Sequence, residues 1–333
     1  MPLIAVAVSS VVLAGSGALL MAKRGIAWGF ADIPNERSSH ASIVPRGGGF
    51  GIPLAVALAS LLFAPSQPLV VGASIFISTI AFFNDKRESP VIVRLGFEAL
   101  AAFALAWPVF LAARALRGQS LALLILLMSV LYIVAQANIF NFMDGINGIA
   151  GIEALISFTL LGIYAQRMGQ SDLCLICIAV AAGAFGFLPW NFPCARVFMG
   201  DVGSLFLGFL FAAMIIMMSG SLKEFLGLAL FQGVFSIDGV MTIIRRALKK
   251  QNVFRAHKQH LYQLLVHTRG WSHAQATIIY GIAQACFGVA SLLLFSAPIG
   301  TMAVLWSLLL MSYLVGHYLA SRMENGQRSP REV

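Results

Sequence analysis

The chain has 333 residues, 59% of them hydrophobic and 11% charged, with a mean hydropathy of +0.87. No stretch of domain length has ordinary polarity, which excludes a soluble globule and a second soluble domain. The expectation is an all-α polytopic integral membrane protein, a single transmembrane domain over residues 1–333. The formal charge of +9 is accounted for below by topology, without a nucleic-acid partner. The four cysteines form no disulfide framework. Cys174, Cys177 and Cys286 lie in apolar runs and Cys194 in a loop. Cys174-x-x-Cys177 has no second such pair and no nearby histidine, so it reads as a helix face in lipid.

Residues 2–22 are an apolar run long enough to cross a bilayer, which takes about 20 residues. No basic stretch precedes it and Lys23-Arg24 follow. That favours an anchor with its N-terminus outside over a cleaved signal peptide. Further apolar runs lie at 48–66, 68–83, 93–113, 120–140, 148–166, 172–189, 203–220, 224–244, 274–295 and 300–320, eleven spans in all. This count puts the C-terminus inside. It leaves only Arg114, Arg117, Arg167 and Lys223 outside, and the other eighteen of the 22 lysines and arginines inside. Such a bias sets orientation, and its surplus attracts anionic lipid or a nucleotide. The outer loops are short. Function is therefore expected on the inner loops 23–47, 84–94, 138–148, 190–204 and 245–273.

The most telling stretch is Asn138-Ile-Phe-Asn141-Phe-Met-Asp144-Gly-Ile-Asn147-Gly148. A carboxylate and three carboxamides sit where an apolar helix meets water, and ionisable groups there are expensive and functional by default. Gly145 and Gly148 remove side chains beside Asp144, which would open the backbone to a ligand's phosphates. Alone, the stretch reads equally well as a polar loop ending two helices. Other stretches on the same face shift the balance.

The first inner loop carries Asp32, Pro34, Arg37 and His40, then Pro45-Arg46-Gly47-Gly48-Gly49. Arg46 suits an anion, and the glycines a backbone that wraps one; a tight turn into a helix is the simpler reading. The second carries Asn84-Asp85-Lys86-Arg87 and Arg94-Leu95, with Asp85 at a helix end. The fourth holds Asn191 and Gly200-Asp201-Val202-Gly203-Ser204. Asp201, alone between glycines at a helix start, suits Mg²⁺, typically held by one or two carboxylates plus substrate phosphates. The alternative is a helix N-cap. The fifth holds Arg245-Arg246 and His257-Lys258-Gln259-His260; the histidines, three apart, fit one helix face and a metal or a diphosphate. Inside the spans, Glu98 is placed to pair with Arg94, and Glu98 and Glu153 read as structural.

Taken together the stretches resemble the polyprenyl-phosphate N-acetylhexosamine-1-phosphate transferases. The carrying strings are D-x-P-x-x-R-x-x-H with P-R-G-G-G, N-D…P…R-L, N-x-F-N-x-x-D-G-x-N-G, F-L-P-W-N…F-M-G-D-V-G-S, and R-R…H-K-Q-H-L-Y-Q, in order from Asp32 to about Gln263. The last string looks most like the subgroup that starts O-antigen or common-antigen chains. The resemblance implies that a UDP-HexNAc gives its sugar-1-phosphate to undecaprenyl phosphate, releasing UMP, with Mg²⁺ (or Mn²⁺) as cofactor. It implies a multi-pass protein of the bacterial inner membrane acting in lipopolysaccharide O-antigen or cell-wall synthesis, with a homodimer compatible. It casts Asp201 as the metal ligand and Asp85, Asp144 and Asp201 as catalytic. Arg46, Asn84, Asn138, Asn141, Asn147, Asn191, Arg245, Arg246, His257 and His260 are cast as substrate-binding. Asn84 and Asn147 depart from the family, which usually has aspartate at the first position and often at the second; the changes keep shape and an acceptor oxygen but remove charge. A transporter or flippase would instead place polar residues near the midplane in repeated halves. A catalytically silent scaffold for other glycosyltransferases is the third reading.

Overall fold

In lipid every backbone N–H and C=O must be paired within its own segment, so long apolar runs become helices. The computed structural model describes residues 2–34, 42–87, 90–252 and 258–327, with residues 323–327 described by their backbone alone. The helices are α1 (Pro2–Arg24), α2 (Gly51–Phe63, entered by a 3₁₀ turn at Gly48–Phe50), α3 (Pro68–Lys86), α4 (Val91–Arg117), α5 (Gln119–Met143), α6 (Ile149–Arg167) and α7 (Ser171–Asn191). They continue with α8 (Asp201–Met218), α9 (Leu222–Ala229), α10 (Gly233–Leu248), α11 (Leu261–Arg269), α12 (His273–Leu293) and α13 (Ile299–Gln327). Strands β1 (Ala31–Asp32) and β2 (Val44–Pro45) pair antiparallel between α1 and α2.

Ten segments are long and apolar enough to cross a membrane, α9 and α10 counting as one, Leu222–Leu248. The remaining expected span is the shorter stretch Gly48–Phe63. At 1.5 Å per residue it is about 24 Å long. Its ends show what it joins. Gly48 N–H donates to Phe198 O at 2.9 Å, just past the end of α7. Beyond its other end, the Ser66 backbone N–H and hydroxyl both donate to Asp172 at the start of α7. The short helix therefore links the same two ends of the bundle as the full-length α7.

Buried α8 is the axis of the bundle, apolar all round and packed on α3, α5 and α6. Close approach needs small residues, since lipid supplies no hydrophobic drive between helices. A Cβ at Gly208 would lie 2.8 Å from Ala137 Cα of α5. A Cβ at Gly186 of α7 would lie 2.4 Å from Val11 O of α1. Cys174 and Cys177 are buried inside the bundle, with Cys177 against Gly162 of α6. They pack on protein rather than forming the lipid-facing surface expected of them.

One polar layer lies within the bundle. The 3₁₀ turn Leu230–Gln232 breaks α9 from α10. Gln284 of α12 accepts from Val234 N–H at 3.0 Å and donates to Leu230 O at 2.9 Å, pairing the backbone the break sets free. Gln136 of α5 bonds Gln232 and Ser236 across the same break. Glutamine and serine carry no charge, so nothing in the sequence marks this layer out from the apolar runs around it.

Candidate active site

Each inner-loop stretch ends up at one end of the bundle, bound to its neighbours. Asp85, at the C-terminal end of α3, is buried and accepts the N–H of Asp201 at 3.0 Å and of Val202 at 3.1 Å. It is thus the cap of α8, satisfying orphan donors where the helix dipole is positive. A Cβ at Gly200, whose φ is +77°, would fall 2.6 Å from Asp85 Oδ2, so the glycine lets α3 reach the helix start. Asp201 is not a cap: it is the first residue of α8 and its carboxylate points to other partners.

Those partners converge from three helices. Arg94 of α4 donates to Asp201 Oδ2 at 2.8 Å and Asn84 donates to the same oxygen at 3.2 Å. Asn141 of α5 donates to Asp201 Oδ1 and to Ser204 Oγ, both at 2.8 Å. Arg94 is held from behind by Asn138 Oδ1 at 3.2 Å and Glu98 at 3.5 Å, so the expected Arg94–Glu98 pair forms. Asn138 in turn donates to Glu98. Arg94 belongs to the N-D…P…R-L string, but the one partner the sequence suggests for it is Glu98; its contact with Asp201 spans 107 residues and has no local signal. The Asp201 side chain keeps 26% exposure, against 13% for Arg94.

Asp144, in the turn after α5, receives no donor to its carboxylate among the described residues. Burial, with the Asp201 charge beside it, pushes its pKa up to about 7. Asp85 feels the charge of both Asp201 and Arg46. Three aspartates thus share a small volume with two arginines, Arg94 and Arg46. Among the described residues no three His, Cys, Asp or Glu side chains are set to hold a metal unaided. The donor set instead suits a hard divalent cation that completes its shell with a ligand's oxygens, Asp201 offering the accessible carboxylate.

Other expected contacts take a different form. Gly145 does not open space for phosphates: a Cβ there would lie 2.2 Å from the Tyr262 hydroxyl. At Gly148 it would lie 2.5 Å from Phe192 Cδ2. The chain's own aromatics fill both gaps. Gly48 and Gly49 pack on Val197 and Met199, and their N–H groups go to Phe198 O and Met199 O. Asn191 is buried, accepting from Gly148 N–H at 2.7 Å and donating to Val197 O at 2.9 Å. Asn147 donates to Pro193 O at 3.1 Å, its N–H lies 3.4 Å from His273 Nδ1, and its carbonyl accepts from Thr277 at 2.8 Å. These two carboxamides tie loops together.

The fifth stretch builds a second cluster, around Asp238 of α10. Both Asp238 oxygens accept Leu261 N–H at 3.1 Å, and Tyr280 donates at 2.6 Å. Thr242 adds a bond at 3.2 Å and His260 Nδ1 lies 3.4 Å away. His260 is buried and stacks on Tyr262, preceding α11 rather than lying within a helix. His257 lies outside the described residues. Arg245 donates to Thr242 and Gln259 O, both at 2.9 Å, and covers the Tyr313 ring. Arg246 is buried and donates to Asn252 O at 2.6 Å. Tyr262 links the clusters: its hydroxyl reaches Phe142 O at 3.3 Å, over the Asp144 turn.

The fold and this cluster define a polytopic helical membrane protein with a carboxylate–guanidinium–carboxamide centre at one end of the bundle. Residues 68–219, from α3 through α8 and carrying Asp85, Asp144 and Asp201, match the model of glycosyl transferase family 4. It is 29% identical over 293 residues to a probable undecaprenyl-phosphate N-acetylglucosaminyl 1-phosphate transferase of Bacillus subtilis, covering 81% of this chain and 79% of the relative. It is 25% identical over 316 residues to the undecaprenyl-phosphate alpha-N-acetylglucosaminyl 1-phosphate transferase of Yersinia pestis, covering 90% and 86%. A phospho-N-acetylmuramoyl-pentapeptide-transferase of Geobacillus kaustophilus is 34% identical over 163 residues, 47% of this chain and 48% of that one.

Proposed function

We propose that the protein transfers a HexNAc-1-phosphate from a UDP-HexNAc to undecaprenyl phosphate, giving undecaprenyl-diphosphate-HexNAc and UMP. An oxygen of the acceptor phosphate attacks the donor's β-phosphorus. The bond from that phosphorus to the oxygen bridging to UMP breaks, and UMP leaves with that oxygen. The observation that carries the reading is Asp201: a part-exposed carboxylate at a membrane boundary, fixed by Arg94, Asn84 and Asn141. Phosphoryl transfer is mostly positioning and charge neutralisation, which this arrangement suits.

Mg²⁺ held by Asp201, with Asp144 beside it, would neutralise charge on the diphosphate when bound. Arg94 is placed to pass from Asp201 to a phosphate oxygen as the donor arrives. Asp85 and Gly200 fix the start of α8 and so the direction of Asp201. Asn138 and Glu98 orient the Arg94 fork. The attacking phosphate is a monoester whose second pKa is near 6, so it is largely a dianion at neutral pH and needs little help from a base. The setting that fits is the bacterial inner membrane, at the first lipid-linked step of O-antigen or another envelope polysaccharide.

Purified protein with undecaprenyl phosphate, Mg²⁺ and a panel of UDP-HexNAc donors, UDP-N-acetylglucosamine first, is expected to release UMP and form lipid-linked sugar. No UMP from any donor at saturating concentrations would leave the scaffold reading instead.

A further inference from the structure

A cavity of about 530 Å³ opens between α10, α11, α12 and α13, away from the Asp201 cluster. Ligand pockets run roughly 300–1,000 Å³. Its lining runs from Val234, Phe287 and Leu309, in the middle reaches of the bundle, to Arg269, Trp271 and Leu319 beside α11, the end we take as its mouth. Leu309 and Leu319 are ten residues apart on α13, about 15 Å at 1.5 Å per residue. That is half of a hydrocarbon core about 30 Å thick, so the cavity is one leaflet deep. Its mouth lies at the same end of the bundle as the active site, because α11 and the C-terminal end of α13 line it there.

We propose that this cavity binds one acyl chain of an anionic phospholipid, with the headgroup at Arg269. The walls are apolar where a chain would lie. Trp271 stands at the mouth, where tryptophan sits at a membrane interface. The Arg269 guanidinium donates to Leu319 O at the rim. Arg322 stacks on Tyr318 and Arg245 on Tyr313, on the same helix as Leu319. Among the residues that line the cavity Arg269 is the basic one, and its charge selects an anionic headgroup over a zwitterionic one. Asp238 lies on the cavity wall and repels a phosphate, which keeps the head at the rim. The chain gives Leu261 and Leu265 of α11 a packed floor, and α11 carries Tyr262 onto the Asp144 turn. The site is independent of the transferase reading, and its test needs no activity.

The test is native mass spectrometry of full-length protein extracted in mild detergent, then exchanged into equal mixtures of phosphatidylglycerol and phosphatidylethanolamine. Wild type is expected to retain one phospholipid per chain, with about a fivefold preference for phosphatidylglycerol, the factor one interfacial basic residue supplies. Ala283→Phe fills the cavity and is expected to lose the retained lipid. Arg269→Gln is expected to keep one phospholipid but lose the preference, and it decides the matter if Ala283→Phe does not fold. Unchanged retention in a folded Ala283→Phe, a wild type without headgroup preference, or a cross-link placing a second copy's helix in the cavity would each overturn the proposal.

Discussion

Two aspartates stand near the same end of the bundle, and their surroundings differ in one respect. Asp238 is fully buried and saturated by a backbone N–H, two hydroxyls and an imidazole. Asp201 meets only side-chain donors, three of them, and keeps 26% exposure. A saturated buried carboxylate has nothing left to offer a ligand; its energy is spent on holding the segment before α11 to α10. A part-exposed carboxylate held by side chains alone can exchange them for a cation without breaking backbone pairing. Under the proposed function the difference separates a structural carboxylate from a functional one, although both lie in apolar helices.

Substituting each tests that division most severely. Asp201→Asn is expected to cut transfer on the order of 10³-fold, in the range of losing a preorganised charge contact or more, with the thermal midpoint little changed. Asp238→Asn should do the reverse in kind. Removing one partner of a buried charged network costs roughly 3–5 kcal/mol, read as a fall in thermal midpoint and in extractable yield. If Asp238→Asn melts like wild type, saturation is not what marks a structural carboxylate here.

Asp85 falls between the two, since it caps α8 yet touches the backbone of Asp201. Asp85→Asn should lose stability by about 1–2 kcal/mol as a weakened cap and lose activity through misdirection of Asp201. A variant that is inactive but fully stable would move Asp85 from capping into the chemistry.

Asp144 gives a pH signature. Its pKa in the fold is raised to about 7 by burial and by the Asp201 charge, against roughly 3.9 when unfolded. A raised pKa means stability present below about pH 4 and lost progressively as pH rises through about 7. Without divalent cation, the thermal midpoint is expected to fall from pH 5 to pH 8. Mg²⁺ should restore much of it at the upper end. Asp144→Asn should flatten the slope; a slope unchanged in that variant assigns it elsewhere.

The spans were legible because twenty apolar residues admit one structure in lipid, and Asp201 was legible because a lone carboxylate between glycines stands out. The partners were not. Asn84, Arg94 and Asn141 reach Asp201 from 117, 107 and 60 residues away, and helix packing alone brings them together. The glycines misled for a related reason. A missing side chain at Gly145 is filled by Tyr262, 117 positions on, and nothing near Gly145 announces it. The glutamines at the α9–α10 break were silent because their need arises only once the helix breaks.

The smallest expected effect is at Asn84, and it sharpens the comparison most finely. Its amide donates to Asp201 Oδ2, sharing that oxygen with Arg94. An aspartate there, as is usual in the family, cannot donate and would set another negative charge beside Asp85 and Asp201. Since the acceptor is largely dianionic near pH 7, a base at position 84 has little to remove. Asn84→Asp is therefore expected to change maximal turnover less than several-fold while altering the Mg²⁺ concentration needed to reach it. Asn84→Ala should cost far less than Asp85→Asn or Asp144→Asn, because Arg94 and Asn141 still hold Asp201. A general base contributes roughly 10²–10⁴-fold, so a gain of that size in Asn84→Asp at saturating Mg²⁺ would show that the position calls for a base. The amide would then be an impairment, and the open carboxylate of Asp201 would be only half of the centre.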